Sequence, residues 1–588
     1  MKLKLTILLL SLIGCLNAFA EPAIYVNQVG FDSRGPKLAV VSTDEALTRK
    51  TVFHLVDAAT GKVAFTGVLS GPQRIDEWMP GKFFYQAEFG SVFQKGSYKV
   101  SATINGKEYS SATFQIDEDA LAKLTIQSIV HYYHKQRATT PQELAADQHL
   151  LLYGSNKRVD LRGGWCDASG DVSKYFSHLA YANFMSPQQT PLVVWSMVNT
   201  NEAISAKLQQ WGIKDSLENE ALYGADYMMR AQSDSGYFYM TVFSYFNKDP
   251  EARRVVGLHA NSVTTNEYQC AYREGGGMAI AALARISRWK KHGDYTSAQY
   301  LAAAKRAFTH LQKYNLKYDD DHKENIIDDY CALMAATELW KAAPDTRYRD
   351  AARKRAENLE KRLSPSGYFI ADDGSRPYWH ASDAGLPIVA LARYVKQESN
   401  PFLKAKAVAT IRKALDYNLR VTGNVDNPFG YARQSFALNG QVKDGFFIPH
   451  ENETGWWWQG EDARLGSLAT AALVGGRLAY HDKGGWGTTG SLAAYASQQA
   501  SWILGCNPYN MCFMYGFGVK NVPYMHSNFG HGSEKGGVSN GITGKDGNPD
   551  GSGIDFKEEA KGDEWRWTEQ WIPHAAWFLQ AVTAMAEH

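Results

Sequence analysis

Asp167 and Asp171 stand four residues apart in the stretch GGWCDASGD, residues 163–171, among small residues and just after Trp165. Glycines allow sharp backbone turns, so two carboxylates at this spacing can converge on one small object. If that object is water, one carboxylate takes its proton while the other orients it, the chemistry of hydrolysis with inversion at a sugar carbon. The same residues also read as an Asx-rich turn or a calcium loop, which leaves a structural calcium open. The spacing is not that of an EF-hand, and no C-x-x-C pair occurs, so no metal ligands are assigned.

Two further segments carry chemistry-bearing residues. Residues 505–544 lack helical period and combine His526 and His531 with Tyr515, Phe517, Tyr524 and Phe529. A long irregular segment this rich in aromatics is functional rather than disordered. Histidines beside flat apolar rings suit a hydroxyl-rich ligand. In WRWTE, residues 565–569, Thr568 reads as the N-cap of the last helix, with Glu569 in its first turn. An acid there is commonly a dipole partner. Trp565, Trp567 and Trp571 around it would disfavour the ionised form, as a general acid near neutral pH requires. Trp456, Trp457 and Trp458 form a run dense enough to offer a sugar platform.

These residues need elements to hold them. From residue 21 to about 118 the chain reads as short β-branched and aromatic runs such as KLAVVST and KFFYQAEFG, with Asn105-Gly106 as a two-residue hairpin signal. About seven strands in that length imply an immunoglobulin-like β-sandwich. From residue 119 to 588 the apolar period becomes helical, with about twelve helices joined by long Gly- and aromatic-rich loops. Twelve helices suggest six hairpins in a ring, with the loops building a cleft at one end.

The first twenty residues, MKLKLTILLLSLIGCLNAFA, have the layout of a secretory signal peptide ending at Ala20. Leu12-Ile13-Gly14-Cys15 also resembles a lipoprotein processing site, so a lipid anchor on Cys15 is the alternative to a periplasmic or secreted protein. Net charge is +1 with Lys and Arg scattered, which excludes a nucleic-acid or membrane-surface partner of the basic-patch kind. Beyond Cys15 there are five cysteines, most of them read as buried small hydrophobes. One disulfide is possible in an oxidising compartment, but an odd number cannot all pair. Oligomeric state is not legible.

Taken together, the motifs resemble glycoside hydrolase family 9, over nearly the whole mature chain. YVNQVGF resembles the opening strand of the immunoglobulin-like domain found in many members. GGWCDASGD resembles the family's aspartate loop, YREGGGMAIAALA a helix of its barrel, and LGCNPYNMCFMYGFG with MHSNFGHG its asparagine-proline and histidine run. The resemblance implies an all-α (α/α)6 barrel after the sandwich and inverting hydrolysis of β-1,4-linked gluco-oligosaccharides or polysaccharides, with no cofactor required. It implies Asp171 as general base, Asp167 as its partner on the water and Glu569 as general acid. His526 matches the substrate-binding histidine, with His531 and Tyr515 as further candidates.

Two departures stand out. Ser169 widens the family's aspartate spacing from three to four, and Glu569 lies in a Trp-Thr-Glu-Gln-Trp context, with Asp563 and Glu564 as the alternatives. Together with HENETGWWWQGEDARL they resemble a branch that includes exo-acting enzymes for chito-oligosaccharides. There an acid such as Glu451, Glu453, Glu461 or Asp462 would meet a glucosamine ammonium. An exo-β-glucosaminidase and a non-catalytic sugar-binding protein are therefore the alternatives.

Overall fold

The computed structural model describes residues 21–178, 187–244, 252–259, 263–378, 382–452, 455–456, 460–481, 484–528, 530–557 and 565–587. Residues 1–20, expected as a leader and including Cys15, lie outside them. Ten strands form the first unit: β1 (Ala23–Val26), β2 (Gly30–Asp32), β3 (Leu38–Thr43), β4 (Val52–Asp57), β5 (Val63–Val68), β6 (Ser70–Gln73), β7 (Phe83–Glu88), β8 (Gly96–Ile104), β9 (Lys107–Ser110) and β10 (Phe114–Asp117). They make two sheets, β1-β3-β7-β6 and β2-β10-β8-β4-β5, with β9 paired to β8. The β8–β9 turn is the one read from Asn105-Gly106, and both residues take positive φ, 50° and 81°.

Side-chain alternation explains how this unit meets the rest of the chain. Ile24, Val26, Ala39, Val41 and Tyr85 point toward the second sheet, against Phe53, Leu55 and Val100. Their neighbours Tyr25, Val40 and Phe84 point the other way and join the core of the helical unit. The first sheet is thus buried on both faces. Trp78 extends this contact, its ring 4.5 Å from Phe446 and 5.5 Å from Trp502. Gln28, inside YVNQVGF, donates to the Asn510 carbonyl at 2.8 Å and accepts from the Val519 amide at 2.8 Å, so the β-unit ties down the long loop after residue 504.

The helical unit contains α1 (Ala120–Lys135), α2 (Pro141–Asp147), α3 (Thr190–Gln210), α4 (Lys214–Arg230), α5 (Gly277–Ile286), α6 (Ser297–Tyr318) and α7 (Ile326–Ala342). It continues with α8 (Thr346–Lys361), α9 (Leu386–Gln397), α10 (Pro401–Gly423), α11 (Asp462–Ala479), α12 (Gly490–Ile503), α13 (Trp565–Thr568) and α14 (Ile572–Ala586). Contacts run α3 to α5 to α7 to α9 to α11 to α14 and back to α3. Outside this circuit α4 packs on α3, α6 on α5, α8 on α7, α10 on α9 and α11, α12 on α11, and α1 on α14. Burial follows the same division. Every residue of α5 and α14 is buried, whereas α8 buries only Tyr348, Ala352, Ala356 and Leu359 along one stripe. None of the described helices is long and apolar enough to cross a membrane.

This order decides where the loops go. Short turns such as 211–213, 343–345 and 398–400 join each inner helix to the outer helix that follows it, so the two run antiparallel. The inner helices therefore share one direction. The long segments 136–189, 231–276, 363–385, 424–461 and 504–571 all gather where the inner helices begin. The aspartate loop, the histidine-bearing loop and Glu569 lie within these segments.

Candidate active site

The aspartate loop is fixed by its own backbone. Gly164 (φ 77°) passes over Tyr227, where a β-carbon would come within 2.8 Å of the ring, and Gly170 (φ 81°) turns the chain between the two aspartates. Trp165 is fully buried and donates its indole N–H to Glu220 at 2.8 Å. Asp171 Oδ1 accepts from the amides of Val172 and Ser173 at 2.6 and 2.9 Å, an Asx-type turn that orients a half-buried carboxylate. Asp167 sits deeper, at 1% exposure, with Oδ2 on His178 Nε2 at 2.9 Å. Burial raises the Asp167 pKa; His178 pulls it down, and the Asp171 charge adds to the rise.

Ser169, the residue that widens the aspartate spacing, joins this loop to the segment carrying the acid. Its amide donates to the Gln570 carbonyl at 3.0 Å, and its Oγ accepts from the Gln570 amide at 2.9 Å. Ala168 and Trp571 pair as antiparallel neighbours, and the Ile572 amide donates to the Asp167 carbonyl at 3.1 Å. Glu569, half-buried, is the residue before Gln570. Tyr132 on α1 is buried against both sides: its hydroxyl donates to the Gln570 carbonyl at 2.9 Å, and the Asp167 and Glu569 charges both add to the burial that raises its pKa.

This pairing corrects the expected cap. Thr568 ends the short α13, and α14 begins only after Trp571, its N-cap, with a proline in its first turn. Residues 569–571 are held extended between Ala168 on one side and Ser539 on the other, which bridges to Gln570. Glu569 is therefore on a strand-like connector rather than in a helical first turn. Of the expected tryptophan surround, Trp567 is buried with its N–H on Thr543, Trp571 is buried near His178, and Trp565 is partly exposed.

The remaining sequence candidates fall in three places. His526 is exposed, its ring edge-on to Tyr524 at 4.9 Å, and Tyr524 lies 6.0 Å from Tyr515, so these three form one surface cluster. His531 is not with them. It is buried behind the aspartate loop, Nε2 on Glu143 at 2.7 Å and Nδ1 on the Lys135 carbonyl at 3.2 Å; its ring meets the loop at Cys166, and its carbonyl accepts from Gly170 at 2.6 Å. Its burial departs from a direct ligand contact, because both ring nitrogens are engaged within the protein. Glu453, Trp457, Trp458, Asp563 and Glu564 lie outside the described residues, and of Trp456 only the backbone, paired with Glu451, is described. Glu461 is buried in an ion pair with Arg464 at 2.5 Å, and burial raises the pKa of its neighbour Asp462 far above the usual carboxylate range. The five cysteines after Cys15 are all buried and free.

Glu143 and His178 carried no sequence signal. Glu143, in α2, anchors a buried charge network: it accepts from His531 and from Arg253 at 3.2 Å, Arg253 reaches Asp147 at 2.8 Å, and Lys174 meets the same carboxylate at 2.6 Å. Glu143, Cys166 and His531 are also the three described residues whose donor atoms lie close enough to hold a metal, within 4.8 Å of one another. A thiol, an imidazole and a carboxylate would suit zinc rather than calcium. The arrangement does not fit an ion. Two tetrahedral ligands on zinc stand about 3.3 Å apart, whereas Glu143 and His531 are at 2.7 Å, a hydrogen-bond distance. Burial works to lower the His531 pKa, but Cys166 and Glu143 raise it to about 11, so an ion would have to displace a proton from the imidazole. Arg253 already supplies the positive charge beside Glu143.

The Glycosyl hydrolase family 9 model matches residues 123–552, and the model for the cellulase N-terminal ig-like domain matches residues 20–107. Endoglucanase 7 of Oryza sativa subsp. japonica is 23% identical over 452 residues, 70% of this chain and 76% of the relative. Endoglucanase 4 of Arabidopsis thaliana is 22% identical over 414 residues, 65% and 74% of the two chains. Among solved structures, the family 9 endoglucanase J30 superposes with a TM-score of 0.66 at 20% identity, covering 95% of this chain and 99% of that one. A Bacteroides ovatus family 9 protein does so with a TM-score of 0.64 at 20% identity, covering 96% and 99%. These structures share the fold.

Proposed function

Since this chain belongs to glycosyl hydrolase family 9, we propose that it hydrolyses β-1,4-linked gluco-oligosaccharides or polysaccharides with inversion, on an (α/α)6 barrel. The returning circuit of inner helices, each backed by an outer one, supports the barrel. The endoglucanase names of the relatives support the glucan substrate. The observation that carries the mechanism is the Ser169–Gln570 and Ala168–Trp571 pairing, which couples the aspartate loop to the strand of Glu569.

In this reading Asp171, the less buried aspartate, takes a proton from water as it attacks the anomeric carbon. Asp167 orients the water from behind. Glu569 donates a proton to the departing glycosidic oxygen. His526, Tyr524 and Tyr515 offer rings and a hydrogen-bonding edge to sugar. The step consumes water and needs no further group. The leader-like first twenty residues support export from the cytoplasm.

Of the acids considered for a glucosamine ammonium, Glu461 is paired with Arg464 and burial raises the Asp462 pKa, so neither supports an ammonium subsite, while the side chains of Glu451 and Glu453 lie outside the described residues; glucose is the reading kept. Incubation with cellotetraose and with chitosan tetramer, followed by product chromatography, tests this. Cellotetraose is expected to be cleaved to shorter cellodextrins or glucose. Cleavage of chitosan tetramer alone would overturn the glucan assignment and leave the hydrolase reading standing; cleavage of neither, with binding of either, would favour a sugar-binding protein.

A further inference from the structure

His178 belongs to neither the aspartate loop nor the acid strand, yet it touches both. It is buried, and its Nε2 lies 2.9 Å from Asp167 Oδ2. Its ring is packed between two aromatic rings, Tyr175 at 3.8 Å and Trp571 at 5.2 Å between centroids. Tyr175 is held by the strand pairing Lys174–Tyr175 with Thr241 and Val242. Trp571 is the residue that pairs with Ala168 and lies two positions after Glu569. The imidazole cannot rotate away from Asp167 without breaking this packing.

Asp167 needs such a partner. A carboxylate at 1% exposure close to a second carboxylate is costly to keep charged, and its Oδ1 is buried without a hydrogen bond among the described residues. A donor on Oδ2 both offsets that cost and fixes the plane of the carboxyl group. We propose that His178 is a positioning residue of the hydrolytic site: by donating from Nε2 to Asp167 Oδ2 it sets the orientation and charge of the aspartate that holds the water, and through Trp571 it keeps that aspartate in register with Glu569. This rests on the assignment of Asp167, Asp171 and Glu569 made above. Among the described residues, the titratable groups near the pair are Asp171 on the loop, Tyr175 against the ring, Cys166 beside Asp167, and Tyr132, which senses the charges of both Asp167 and Glu569.

Two substitutions separate the donor from the ring. His178→Phe keeps an aromatic ring between Tyr175 and Trp571 but removes the N–H; His178→Gln keeps a donor at nearly the position of Nε2 but removes the ring. Purified full-length variants are compared by kcat, KM and the pH profile of kcat/KM on a cleavable oligosaccharide, with thermal melting as the measure of folding. The Phe variant is expected to lose about 10- to 100-fold in kcat, the worth of a hydrogen bond to a charged group, with KM little changed. Without the donor Asp167 holds its proton to higher pH, so the acid limb of its profile moves upward. The Gln variant is expected to keep most of the rate and the wild-type limb. A Phe variant with the wild-type rate and limb, or a Gln variant that melts like wild type but is as slow as Phe, overturns the proposal. Asp171→Asn measured alongside separates the two levels: if it is fully active the mechanism itself is wrong, whereas if it is inactive and His178→Phe is unchanged only the role of His178 falls.

Discussion

Asp171→Asn is expected to lower kcat by roughly 10²- to 10⁴-fold, the usual contribution of a positioned general base, while leaving KM within a few-fold of wild type. Asparagine fills the same volume and still accepts from the Val172 and Ser173 amides through its carbonyl oxygen, so the turn should survive. What is lost is the ability to take a proton from water. Glu569→Gln should cause a loss of similar size on a natural oligosaccharide, but its dependence on leaving group should differ. An aryl glycoside with an acidic phenol leaves without protonation, so the Glu569→Gln enzyme should recover most of its rate on that substrate, and the Asp171→Asn enzyme should not. Steady-state kinetics with the two substrates separates the roles. Equal recovery in both variants, or wild-type rates in either, would remove that residue from its assigned place.

The second large effect is on stability. Glu143→Gln removes a negative charge from the buried network, leaving Arg253 and protonated His531 with too little compensation. Breaking a buried pair in this way costs about 3–5 kcal/mol, so a clear drop in melting temperature is expected. Activity should fall as well, because the His531 carbonyl holds Gly170 between the two aspartates. The pH dependence follows from opposite shifts. Burial acts to raise the Glu143 pKa, but His531 and the Thr140 amide lower it from 4.5 to about 2, so its contribution is complete above 4.5 and lost as pH falls toward 2. The His531 pKa lies at about 11 instead of 6.5, so its contribution is complete below 6.5 and lost as pH rises toward 11. The pair is worth most between about pH 4.5 and 6.5. Melting temperature against pH should show that plateau in the wild type and a flatter curve in Glu143→Gln. A variant with an unchanged melting temperature across this range would contradict the network's role.

Local chemistry is readable where local rules govern it. Asn105-Gly106 announces its turn because few other pairs accept positive φ at both positions. The change from strand to helix period is visible because each sheet or helix face must be buried, and α8 shows its stripe plainly. GGWCDASGD draws attention for its paired acids, and its glycines do adopt the positive-φ backbone that favours glycine. Pairings between distant segments cannot be read in the same way. Ser169 reads as a disturbance of the aspartate spacing, whereas it makes two hydrogen bonds to Gln570, 401 positions away. Thr568 has every local credential of an N-cap, but the bridges from Ala168 and Ser539 hold the following residues extended. His531 sits in an aromatic, histidine-bearing stretch that suggests a ligand surface; its partner Glu143 lies 388 positions earlier and turns it inward. His178 offers no pattern at all, since its importance comes only from the rings and carboxylate packed around it.

The central claim, attack by a water activated at Asp171 with protonation by Glu569, is tested most directly by the anomer first released. Proton NMR of a β-1,4-linked oligosaccharide during the opening minutes of hydrolysis, before mutarotation, distinguishes the two anomeric signals. Inversion predicts that the α-anomer of the newly formed reducing end appears first and the β-anomer grows in later. Initial release of the β-anomer would mean a covalent intermediate and retention, and would contradict the assignment of the aspartate pair to water.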